Sequence, residues 1–146
     1  MLLKNKKDLQ FFIDNSTTYI NYLIKKLNEK GMVGTSFDDF TDKIDKIEKY
    51  YENEFLYETI DEQEKLRLGF WAFFSKLLIE ELGGELQIAL KNDYSEGTPQ
   101  LINYGNRFDK KGKRKWIGIS FNFLFGPNYC SWLIFIKRQG NVIANN

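Results

Sequence analysis

The sequence predicts an α+β fold, and three observations carry that expectation. Apolar residues recur every three or four positions from Leu9 to Leu82, the period then drops to two, and Gly83-Gly84 marks the change. Helices gathered first and strands second point to this class rather than to alternating βαβ units. At 146 residues the chain has the length of one ordinary domain, so 1–146 is read as a single unit. The expected architecture is three N-terminal helices packed on a small antiparallel sheet, with a further element near the C-terminus.

The first helix is written by Leu9, Phe12, Ile13, Ser16, Ile20, Leu23, Ile24 and Leu27, which share one face. Thr17 and Thr18 are mediocre helix formers, which allows a break near Asn15, and Gly31 supplies the stop. Ser36 with Asp39 three residues on approximates a capping box for a second helix, whose stripe is Phe37, Phe40, Ile44, Ile47 and Tyr51. Thr59 with Glu62 repeats the pattern and opens a third. Leu66, Phe70, Phe73, Phe74, Leu77, Leu78 and Leu82 give that helix a broad apolar face. Trp71 and Ile79 widen it until its centre is apolar nearly all round, as a central core helix requires.

After the glycine pair, Leu86, Ile88 and Leu90 alternate with more polar residues, which predicts a half-buried strand. Gln100 to Tyr104 reads as a second strand and Trp116 to Phe125 as a third, and short connections favour an antiparallel meander. Ile119, Phe121 and Phe123 share a face that is expected to cover the third helix. The segment 127–139 fits two patterns. Gly126-Pro127 with Tyr129, Trp132, Leu133 and Ile136 suits a helix, which is preferred, and the run Trp132 to Ile136 also suits a buried strand.

Composition removes several kinds of chemistry. With no histidine, Ser-His-Asp and Cys-His catalysis and His-ligated metals are excluded. Cys130 is the single cysteine, lies among apolar neighbours and has no base nearby in sequence, so it reads as an inert thiol. Neither standard phosphate-binding glycine pattern occurs. The carboxylates left for acid–base work are Glu80, Glu81 and Glu85, but adjacent helical residues point about 100° apart and form no preset pair. No catalytic residue, cofactor site or metal site is assigned. The acids of the second helix are interleaved with Lys43, Lys46 and Lys49, and their spacing is not that of a calcium loop.

Charge is unevenly placed although the net value is +1. Ser36 to Lys65 holds eleven acids and four lysines, or −7, whereas Arg107 to the end holds eight basic residues and one acid, or +7. Such segregation can orient a charged partner. The basic run Lys110, Lys111, Lys113, Arg114 and Lys115, flanked by Phe108 and Trp116, suits either phosphate contact or a solvated loop. Candidate partner-binding residues are therefore Asp38, Asp42, Asp45, Glu48, Trp71 and these five basic residues. Trp71, about 100° round from Phe70, is expected at the rim of the core. Acids at 8 and 14 interrupt any leader-like apolar run, and Leu68 to Ile79 is too short to cross a bilayer, which predicts a cytoplasmic protein without membrane contact.

Leu68-Gly69-Phe70-Trp71, then Glu80 to Leu86, then Gly97-Thr98-Pro99-Gln100-Leu101 form a Gly-aromatic helix, a Gly-Gly corner, a strand and a Gly-x-Pro turn. Over roughly residues 66–126 this arrangement resembles small domains among the immunity proteins of bacterial polymorphic toxins. The resemblance rests on structural glycines and aromatics and implies a protein that binds and occludes a toxin, with no catalytic residue carried across. The acidic second helix would suit a basic toxin such as a nuclease. Two other expectations stand beside it: a nucleic-acid-binding accessory protein using 107–115, and a carboxylate-dependent hydrolase.

Overall fold

The computed structural model describes residues 3–89, 91, 96–104 and the backbone of 116–118. They form four α-helices followed by a three-stranded antiparallel sheet, an α+β fold. The helices are α1 (Lys6–Asp14), α2 (Ser16–Glu29), α3 (Ile44–Glu54) and α4 (Ile60–Leu82), and the strands are β1 (Glu85–Ile88), β2 (Pro99–Ile102) and β3 (Trp116–Gly118). Contacts group into two compact units, one of Gln10–Phe73 and the other of Leu2–Leu9 with Phe74–Asn146.

In the first unit the chain breaks at Asn15, whose side-chain amide donates to the Phe11 carbonyl at 2.8 Å. The Phe11 carbonyl also accepts from the Asn15 backbone N–H at 3.1 Å, so side chain and backbone share it at the junction. Ile13 is 38% exposed and so departs from the stripe it was expected to join, while Phe12, Ile20, Leu23, Ile24 and Leu27 are buried. The second predicted helix is divided as well. Phe37–Phe40 is a 3₁₀ turn, and α3 starts only after Lys43. The Asp39 carboxylate accepts from the Thr35 and Ser36 backbone N–H groups at 2.8 and 3.1 Å, closing the turn as the capping pattern required. Those two bonds hold the Asp39 carboxyl below the usual carboxylate range. At the start of α4, the Glu62 N–H donates to the Thr59 hydroxyl at 3.2 Å.

Helix α4 is buried on every side near its centre: Phe70, Trp71, Ala72, Phe73, Phe74 and Ser75 are all inaccessible or nearly so. Its partners within the first unit are aromatic. Trp71 meets Phe12 edge to face at 6.3 Å, Phe73 packs on Phe37 at 4.9 Å, and Phe70 touches Tyr51 and Phe55 at 5.8 and 6.4 Å.

In the second unit, Gly83 and Gly84 leave the helix with φ of 71° and 95°, a region costly for other residues. A side chain at Gly84 would also strike the Ile102 carbonyl at 2.6 Å. β1 pairs with β2 from Glu85 opposite Ile102 to Ile88 opposite Pro99, and β2 pairs with β3 from Gln100 opposite Gly118 to Ile102 opposite Trp116. The chain start is tied in where the Leu3 N–H donates to the Gly97 carbonyl at 2.9 Å. The expected face of Ile119, Phe121 and Phe123, Cys130, and the helix-or-strand segment 127–139 lie outside the described residues. Among the described residues no helix is long and apolar enough to cross a membrane.

Candidate functional site

The acidic segment presents its residues unequally. Asp38, Asp42 and Asp45 are exposed, as a partner-binding surface needs. Glu48 is not: it is 4% exposed. It stands four residues after Ile44 and three before Tyr51, so it occupies an inward position of the α3 stripe and is removed from the candidate surface. Trp71 is also corrected. At 2% exposure it belongs to the core, because the all-round apolar centre of α4 is covered on every side and leaves no rim. The basic residues Lys110, Lys111, Lys113, Arg114 and Lys115 lie outside the described residues.

The corner between α3 and α4 supplies a surface that periodicity did not reveal. Leu56, Tyr57 and Ile60 are 76%, 86% and 72% exposed. Three large apolar side chains within five residues of chain form an unusual concentration of exposed apolar surface. Leu56 and Tyr57 sit on a second 3₁₀ turn, Phe55–Tyr57, pinned from inside by buried Phe55. Gln63 holds the turn against the first turn of α4, donating to the Glu58 carbonyl at 3.1 Å. Acids surround the apolar group: from Tyr50 to Glu64 the chain carries Glu52, Glu54, Glu58, Asp61, Glu62 and Glu64 and no basic residue.

Two cations, Lys26 of α2 and Lys30 just past its end, organise this acidic rim. Lys26 Nζ lies 3.0 Å from Glu62 and 3.6 Å from Glu58, and Lys30 Nζ lies 3.1 Å from Glu54. The two carboxyls also hydrogen-bond each other, and this splits their acidities. The Glu58 pKa is raised, by the bond to Glu62 first and by burial second. That of Glu62 is held at about 2, by the bond to Glu58 and then the bond to Lys26. Nearby Tyr50 is buried, which pushes its phenol well above the usual range and keeps it neutral.

The remaining carboxylates of interest are dispersed. Glu80, Glu81 and Glu85 are all exposed, and Glu85 Oε1 accepts from Asn103 Nδ2 at 3.1 Å. Among the described residues no cluster of His, Cys, Asp and Glu is arranged to hold a metal ion. Comparison with protein-family models, curated proteins and solved structures finds no match for this chain.

Proposed function

We infer that this chain is a cytoplasmic protein-binding module, an immunity protein that occludes a toxin, and that it acts by binding rather than by catalysis. The observation that supports this reading is the exposed group Leu56, Tyr57 and Ile60 within an acidic border. Interfaces take most of their affinity from a few aromatic and aliphatic anchors, and a surrounding field of one sign speeds encounter with a partner of the other. The partner is accordingly a basic protein with an apolar pocket, as a nucleic-acid-degrading toxin would be.

The test is co-purification from the native host with wild-type chain and with a Leu56→Asp/Tyr57→Ala variant. Both positions are largely exposed, so folding should survive. Wild type should recover a basic protein that arrests growth when expressed alone, and co-expression of wild type should restore growth. The variant should bind it at least about 30-fold more weakly, the effect of losing about 2 kcal/mol at an anchor. A partner held equally well by the variant, or none at all, would overturn the reading.

A further inference from the structure

On the other side of the acid balance, one face of α3 is basic. A groove of about 580 Å³ is lined by Lys30, Lys43, Lys46 and Lys49, with Tyr50, Met32 and Val33 contributing apolar surface. Glu54 is the one acid on its walls, and it is already paired with Lys30 at 3.1 Å. None of the exposed acids Asp42, Asp45 and Glu52 lines it. Lys43 is already engaged: its Nζ donates to the Asp39 carbonyl, lies 3.6 Å from Asp42 and sits over the Phe40 ring. Lys46 and Lys49 have no ion pair among the described residues.

Lysines at positions 43, 46 and 49 thus start within about 9 Å of helix axis and line one open groove. Lysine serves phosphate well because its charge is compact and its stem adjustable. The volume lies inside the range of roughly 300–1,000 Å³ typical of small-molecule sites. An extended acidic peptide fits less well, because carboxylates on the same side of it repeat only every ~6.8 Å. Val33, 84% exposed, and Met32 offer an apolar wall to the uncharged part of a ligand.

We propose that this groove binds a small, multiply charged phosphate compound, through Lys43, Lys46 and Lys49. The groove shares Lys30 and Glu54 with the acidic rim of the apolar corner, but its proposed ligand does not depend on the protein-binding function inferred from that corner.

Calorimetric titration at low salt tests it, with inorganic tripolyphosphate as the probe and a hexaglutamate peptide as the competing chemistry. Tripolyphosphate should bind saturably, and a Lys46→Ala/Lys49→Ala variant should weaken it at least tenfold. A Lys6→Ala/Lys7→Ala variant, which removes the same charge from exposed positions of α1, should bind as wild type does. Circular dichroism should show both variants folded. Absence of saturable binding, equal weakening in the two variants, or tighter binding of hexaglutamate would each overturn the proposal.

Discussion

Single positions in α4 show how burial and backbone proximity set the cost of a change. Phe74 is fully buried, so Phe74→Ala removes a large apolar side chain from a site that cannot collapse completely. Its expected cost is about 3–5 kcal/mol, a large share of the roughly 5–15 kcal/mol that holds a domain together. A urea midpoint equal to wild type would contradict this burial. Gly69 poses the opposite question, because alanine is the better helix former by about 1 kcal/mol. Here contact outweighs propensity. A Cβ at Gly69 would lie 2.9 Å from the Tyr19 carbonyl oxygen and 3.0 Å from Leu23 Cβ, both on α2. Gly69→Ala is therefore expected to destabilise by about 1–3 kcal/mol, as overpacking does. Thermal unfolding checks the sign, and a raised midpoint would show that the two helices separate easily.

Between elements, the clasp of Lys26 with Glu58 and Glu62 ties α2 to the start of α4, and its response to pH follows from the two carboxyl shifts. Glu62 has a folded pKa of about 2, below the value of about 4.3 for an unfolded glutamate. Its contribution to stability is therefore present above the unfolded value and lost as pH falls toward 2. Glu58 is shifted the other way. Its contribution is complete below the unfolded value and lost as pH rises through the raised folded value. Lys26 is the cation set against both carboxyls, 3.0 Å from Glu62 and 3.6 Å from Glu58. Lys26→Met should lower the urea midpoint most at neutral pH, and the deficit should shrink on acidification as protons neutralise the pair. A deficit that is constant across this range would mean that Lys26 contributes only packing of its aliphatic stem.

The same elements show what periodicity can and cannot disclose. Stripes such as Leu23, Leu27 and Phe70, Leu77 were legible because a helix repeats every 3.6 residues and a core needs one continuous apolar face. The capping residues Asp39 and Thr59 were legible because their bonds are local. Glu48 was readable in principle: its spacing from Ile44 and Tyr51 sets it inward, but its charge argued for the surface. Leu56 and Tyr57 follow no stripe, since they lie on a one-turn 3₁₀ segment whose orientation is decided by Phe55 and Gln63.

At the scale of the whole chain, the sequence alone determined the class of the fold, helices before an antiparallel sheet, and the glycine corner that separates them. Those features depend on interactions a few residues long: hydrogen-bonded turns, alternating faces and the steric freedom of Gly83 and Gly84. It also showed the acidic character of 36–65, but as a sum along the chain. Tertiary structure decided how that charge is distributed in space. It turned Glu48 inward, brought Lys26 and Lys30 across to the acids of α3 and α4, and set Lys43, Lys46 and Lys49 around a groove on whose walls Glu54 is the one acid. It also placed Trp71 in the core, where its position on the helix had suggested a rim. The physical reason is common to all four cases. Which side of an element meets solvent depends on what other elements cover it, and that coverage comes from residues distant in the chain.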